Sequence, residues 1–441
     1  MLHSAMVDSP HPDYTAHQAE WLRACDVLAG EDAVKAASEK YLPRLDSQSD
    51  DEYAAYKARA SFFGATARTL EEYLDLIFRR APVLSLQDAP APLQAFAANC
   101  DLWGADFSRY ARATLRQVLA VGRAGSLVLW DPAASRPVVS SWHAEQILNW
   151  TTDRLDGRST LTSLTLREGQ TIRVLRLADG VCLQELWQKA ESDWSLTERT
   201  TLKRGDTPLP FIPFVFHGPR HSRPEPDKLP LADIIAANLD HYRLDADYKH
   251  GLHFAALPTA WVTGFEKSSP LRIGSTTAWV SEIPGAEAGF LEFSGAGLAH
   301  IERALEKIER RMALLGARML EHPSADPDAP AGHSQVMCGL GQLVASLNQS
   351  LSRVLQLAEW WSTDAAHPDR CPPARFHINT DLSTGMMRGE DITAVVNAWK
   401  SGAISRDTML DLLKRGEILP DGRTVAQERA LIHRSTTPTV G

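Results

Sequence analysis

His241, Asp245, His250 and His253 fall close together, and the step from His241 to Asp245 sets an imidazole and a carboxylate on one helix face, where both could reach one divalent cation. No third ligand follows at a matching offset, so a solvated helix face accounts for the cluster better than a metal centre. Gly295-Ala296-Gly297 sits between a strand-like run and a helix-like run, as a dinucleotide-binding turn would. That turn needs a third small residue for close helix–strand packing, and His300 stands there, with no βαβ unit after it. Gly332-His333-Ser334-Gln335-Val336 approaches a nucleophile elbow but lacks the closing glycine. Neither GxxxxGK[ST] nor HExxH occurs. Trp261, Phe265 and Trp279 read either as core or as anchors for a partner, with core favoured. The expectation is a protein with no catalytic set, no cofactor and no metal.

The elements around these residues change period twice. Trp21, Leu22, Cys25 and Leu28 recur at helical spacing and stop at Gly30; further helices are predicted from Asp51 to about Arg80 and from Trp103 to Val121, where Gly122 serves as a C-cap. Short β-rich runs follow: Ser126–Trp130, Pro137–Ser141, Thr160–Arg167, Thr171–Leu177, Val181–Trp187, Trp194–Leu202 and Phe211–Phe216. Turn signals such as Ala178-Asp179-Gly180 separate them, which predicts an antiparallel meander over about 125–217. The four prolines of Gly218–Pro230 mark a crossing loop. A helix over Leu231–Phe254 is apolar in its first half and polar in its second, the pattern of a rod of ~36 Å leaving the core.

Short β segments, Thr259–Thr263, Thr276–Ser281 and Phe290–Phe293, come next. Leu298, Ile301, Leu305, Ile308, Met312, Leu315 and Met319 then form a strict heptad seam opposed by charge, suited to packing on another helix. A proline-broken stretch, His322–Gly332, precedes a helix over Ser334–Ser362 that lacks any charge before Arg353 and should be deeply packed. The tail reads as a strand (Arg375–Ile378) and helices over Gly389–Lys400, Ser405–Lys414 and Thr424–Ile432. The expected class is α+β.

Composition narrows the function. With 46 Lys and Arg against 55 Asp and Glu, the net charge of −9 argues against a protein that grips nucleic acid over its whole surface. Eleven of the acids and only four bases lie within residues 1–52, so the rest of the chain is near neutral. The five cysteines are scattered with no CxxC pair, which suits a reducing compartment. Met1–Pro10 has no secretory pattern, and the uncharged run Ala329–Ser352 is too polar for lipid, so no membrane contact is expected.

The order of these elements resembles the portal proteins of tailed bacteriophages, in particular a family of short portals. The likeness rests on Tyr53-Ala54-Ala55-Tyr56-Lys57-Ala58-Arg59-Ala60-Ser61-Phe62-Phe63 and Ala144-Glu145-Gln146-Ile147-Leu148-Asn149-Trp150. It also rests on Leu239-Asp240-His241-Tyr242-Arg243-Leu244-Asp245-Ala246-Asp247-Tyr248, Gly402-Ala403-Ile404-Ser405 and Arg415-Gly416-Glu417-Ile418-Leu419-Pro420. Each motif is weakly specific and their order carries the likeness, which runs over nearly the whole chain. The broken His322–Gly332 loop departs from the pattern.

The resemblance implies a portal-type fold: a wing (1–229), stem helices (230–254 and 298–321) flanking a clip (255–297), a channel loop (322–333), a spine helix (334–364), and a return strand with a helical crown (365–441). It implies a non-enzymatic ring, usually of twelve copies, at one capsid vertex of a virion, assembled in the host cytoplasm. Double-stranded DNA would pass through without sequence-specific binding. The other implied partners are the terminase large subunit, the major capsid protein or scaffold, and a head–tail adaptor. Candidate channel-loop residues are Pro323, Ser324, Asp326, Asp328 and His333; candidate clip-surface residues are Trp261, Phe265, Lys267, Arg272 and Trp279; the heptad seam would pack the stem. Two alternatives predict different assemblies: a head–tail adaptor without a conduit, and a cytosolic α/β enzyme that uses Gly295–Gly297 and is stabilised by a nucleotide.

Overall fold

The computed structural model describes residues 7–86, 88–155, 157–191, 193–256, 259–265, 279–291, 295, 297–320, 339–371, 376–380, 382, 389–415, 418–419 and 423–436. Helices α1 (Pro12–Ala29), α2 (Glu31–Ala36), α3 (Asp50–Arg59) and α4 (Ala65–Phe78) open it, followed by strand β1 (Val83–Leu84) and helices α5 (Ala91–Ala98) and α6 (Phe107–Val121). Ser49 and Glu52 cap α3 reciprocally, Asp106 caps α6, and Gly122 closes α6 in the left-handed region at φ 70°. A built Cβ on Gly122 would stand 3.0 Å from the Asp227 carbonyl, so glycine also lets the crossing loop pass close by. The single helix expected over 51–80 is two. Its interruption at 60–64 is held from outside: the Asp245 carboxylate accepts the Ser61 N–H at 2.7 Å, and the Asn238 amide donates to the Phe63 carbonyl at 2.6 Å.

The expected meander divides into two sheets. Strands β2 (Ala124–Asp131) and β3 (Arg136–His143) precede β4 (Ile147–Leu155), β5 (Arg158–Glu168), β6 (Thr171–Ala178), β7 (Val181–Ala190) and β8 (Asp193–Thr201). The last five pair antiparallel in sequence order; Asp179-Gly180, both at positive φ, make the two-residue turn that the β6–β7 register requires. Short strands β9 (Lys203–Arg204) and β10 (Thr207–Pro208) form a small hairpin, and β11 (Phe214–His217) returns to pair with β2, giving the order β11-β2-β3. β4 escapes a period-two reading because bulges at 147/149 and 151/152 shift its register. The amino-terminal segment is strapped to this part of the molecule: His11 N–H donates to the Leu148 carbonyl at 2.9 Å, and Trp194 Nε1 to Asp8 at 2.9 Å.

Helix α7 (Ala232–Ala256) leads into a hairpin of β12 (Thr259–Thr263) and β13 (Glu287–Leu291), after which α8 (Leu298–Arg318) returns along α7. Helix α9 (Gly339–Trp361) runs through the core, with Leu340, Val344, Leu347, Leu351 and Val354 fully buried. It packs on β2, β11 and β14 (Phe376–His377), the last paired with β1. Asn348 fixes the chain beyond β14, accepting from Ile378 N–H and donating to its carbonyl, both at 2.8 Å. Helices α10 (Gly389–Lys400), α11 (Arg406–Arg415) and α12 (Val425–Thr436) pack on one another. The chain is an α+β protein.

Candidate functional site

The α7–α8 pair and its hairpin carry the sequence's candidate residues. The heptad seam faces α7 and the body: Leu305 and Met312 are buried, and Leu298, Ile301, Ile308, Leu315 and Met319 are partly so, while Glu302, Arg303, Glu306, Lys307, Glu309, Arg310 and Arg311 are exposed. Gly251 leaves room for the Leu298 side chain, since a Cβ there would lie 2.7 Å from Leu298 Cδ2. Across the pair, His241 Nε2 meets Glu309 at 3.2 Å. At the near end, Tyr73 donates to the Gly316 carbonyl at 2.6 Å.

The polar half of α7 is not a wet rod, as its composition suggests. Tyr56 of α3 donates to Asp247 at 2.6 Å, Arg243 donates to the Tyr41 carbonyl at 2.9 Å, and Lys249 bridges Asp245 at 3.1 Å and the Ser61 hydroxyl at 2.5 Å. These charges fasten α3 and the 60–64 connection. Burial and the neighbouring Arg59 push the His250 imidazole below its usual range, which favours the neutral ring. Among the described residues, no three His, Cys, Asp or Glu side chains gather as a metal would require.

Beyond Gly251 the surface turns apolar. Leu252 and Phe254 at the end of α7, Trp261 and Phe290 on the hairpin, and Val280 and Ile283 before β13 are all exposed. Trp261 lies across Gly289, its directly opposite residue, where a Cβ would come within 2.9 Å of the indole nitrogen. Trp279 tilts toward Phe290 with centroids 6.3 Å apart. Trp279 is thus partly buried against Phe290, while Trp261 is exposed on the other face of the hairpin, over Gly289; Phe265 is partly buried. Lys267, Arg272 and the loop candidates Pro323, Ser324, Asp326, Asp328 and His333 lie outside the described residues, as does the Gly332–Val336 elbow. Sequence reasoning missed Leu252, Phe254, Val280 and Phe290; the one signal was a glycine opposite a tryptophan within a β-rich run.

Gly297 directly precedes α8, but β13 before it belongs to an antiparallel hairpin, so this is not the first unit of a parallel dinucleotide-binding sheet. The interior holds groups that resemble catalytic ones and are closed off. Ser350 donates to the Leu347 carbonyl at 3.0 Å, so its oxygen accepts from His217 Nδ1–H at 2.7 Å. His217 Nε2 then accepts from Ser126, and Ser126 from Tyr110, each at 2.5 Å. Every donor is used only by a neutral imidazole, in keeping with the burial that drives the His217 pKa down to about 3. Arg123, also buried, lies 3.9 Å over the Trp150 ring, and burial lowers its pKa to about 9. Burial pushes the Cys100 and Cys182 thiols up to about 12, making them poor nucleophiles.

Residues 230–362 match a family described as a domain of unknown function, DUF4055, a span that runs from α7 to the end of α9. No curated protein matches the chain. Among solved structures, a chain of the neck of an empty GTA particle, computed with C6 symmetry, matches at 13% identity and TM-score 0.40, covering 80% of this chain and 90% of that one. A chain of the virion of a native gene transfer agent particle matches at 13% identity and TM-score 0.40, covering 88% and 99%. A chain of the native GTA neck, computed with C12 symmetry, matches at 13% identity and TM-score 0.37, covering 86% and 97%. Among the described residues, no helix is long and apolar enough to cross a membrane.

Proposed function

We propose that this chain is a portal-type protein: a homo-oligomeric ring at one vertex of a phage-like capsid, through which double-stranded DNA enters during packaging and leaves during ejection. The observation that carries the reading is the α7–hairpin–α8 unit, an antiparallel helix pair zipped by one seam, anchored at one end and apolar and exposed at the other, joined to a core helix that runs through the body. In this reading the hairpin end is the clip, where the terminase large subunit docks and a head–tail adaptor later replaces it. Major capsid protein or scaffold would contact the body during assembly in the host cytoplasm. The protein performs no chemistry and holds no cofactor. An acidic balance suits a conduit, since each Lys or Arg contact to phosphate would trap a duplex that has to slide.

The test is the native mass of the full chain by light scattering, with negative-stain images. A ring of about a dozen copies of the 48.6 kDa chain around a central hole supports the reading. A monomer or dimer whose melting temperature rises with a nucleotide overturns it in favour of an enzyme.

A further inference from the structure

The exposed side of α8 is divided lengthwise by charge. At about 3.6 residues per turn, Glu302, Glu306 and Glu309 fall within an arc of about 60° beside the buried seam. Arg303, Lys307, Arg310, Arg311 and Arg318 occupy the adjoining arc of about 100°. The first flank holds no base and the second no acid. Between the carboxylates and beyond them the acidic flank carries small side chains, Ala313 and Ala317, both exposed. The basic flank carries Leu314, 50% exposed.

A helix that is merely solvated gains from opposite charges four residues apart. Glu306 and Arg310 make one such pair, at 2.9 Å. Glu302 and Glu306, Arg303 and Lys307, and Lys307 and Arg311 instead set like charges at that spacing, and each pair weakens the helix taken alone. Glu309 meets His241 of α7, and Arg303 donates to the Ala299 carbonyl of its own helix. Glu302, Lys307, Arg311 and Arg318 make no ion pair among the described residues. A DNA duplex would suit the basic flank only, and the carboxylates alongside would repel it. A second copy of this chain offers both signs. Copies related by rotation touch through two different patches, so one flank of α8 can face the other flank of the next α8. Rotation also keeps every residue at its height along the ring axis. With α8 running along that axis, Arg303 comes level with Glu302 and Glu306, Lys307 with Glu306 and Glu309, and Leu314 with Ala313 and Ala317. Charge and bulk then fit at a single register.

We infer that α8 is a joint between copies, its basic flank lying on the acidic flank of the next copy's α8. The inference rests on the ring reading of the preceding subsection. The test reverses each flank in the full chain. Arg303→Glu with Lys307→Glu makes both flanks acidic over the first half of the helix, and Glu302→Lys with Glu306→Lys makes both basic there. Each variant alone should associate about 100-fold more weakly than the native chain by light scattering. An equimolar mixture should form rings again, because each reversed flank then meets its opposite; that rescue also shows that both variants fold. Lys307→Met, which relieves like-charge repulsion within the helix, should melt no lower than the native chain yet associate about fivefold more weakly. Where the native chain forms rings, unchanged association in Lys307→Met, or a mixture no better than its parts, overturns the joint and leaves the ring reading standing. A native chain that does not associate at any concentration overturns both. If reversing the basic flank leaves association unchanged and only lowers retention of a short DNA duplex, that flank serves DNA and the inference falls.

Discussion

Helices α9 and α8 have similar lengths and are both rich in leucine, yet they meet opposite fates. α9 buries nearly its whole circumference and its polar side chains find interior partners: Asn348 on Ile378, Ser350 on Leu347 and His217. α8 buries one seam and turns a charged face outward, and the hairpin it leaves exposes Trp261, Phe290 and Val280. One helix is buried within its own chain, and the other leads, among the described residues, from exposed apolar surface. The two regions should therefore differ in what they contribute to stability, and substitutions should separate them.

The widest separation is expected from Leu347→Ala, which leaves a cavity in the core and should cost about 3 kcal/mol in urea unfolding. A loss below about 1 kcal/mol would mean that α9 is not the core element the comparison makes it. Next, Asn348→Ala removes both hydrogen bonds to the Ile378 backbone and should cost about 2 kcal/mol, with faster hydrogen exchange at that amide. Exchange no faster than in the native chain would place the anchor of the tail elsewhere.

His217 gives the comparison a pH dependence. Its folded-state pKa is far below its unfolded one, so between about pH 6 and pH 4 the unfolded chain takes up a proton that the folded chain refuses. Stability should fall by about 1.4 kcal/mol per pH unit across that window from this group alone, and be indifferent to it above pH 7. His217→Phe should flatten that slope; an unchanged slope would assign it to other groups. The smallest effect is expected at the far end: Phe290→Ala should shift unfolding by about 0.5 kcal/mol or less. Should it instead melt the chain as Leu347→Ala does, the hairpin belongs to the core and the division fails.

Sequence alone showed α8 and α9 because their burial follows their own period: a seam at steps of three and four, and a run without charge before Arg353. It did not show the break at 60–64, since Ala60-Ser61-Phe62-Phe63-Gly64 contains no proline and its groups are satisfied by Asp245 and Asn238 on a distant helix. For the same reason the acids of α7 read as a solvated face when they are fasteners. Bulges hid β4, and a long-range pairing sent β11 to the first sheet rather than to the end of the meander. Of the candidate site, the tryptophans were legible by type; that Trp261 stands over Gly289 and Trp279 against Phe290 depends on the β12–β13 register and the chain path before it.

The Asn348 clamp also decides how the molecule carries load. Any tension on α10–α12 travels down the backbone to Ile378, where it meets two side-chain hydrogen bonds and the two-residue pairing of β14 with β1. Those bonds do not act alone, because Phe376, Ile378 and Leu382 are buried in the same core as α9. Tension on that path would therefore have to extract packed apolar side chains as well as break hydrogen bonds, and the clamp shares its load with the interior.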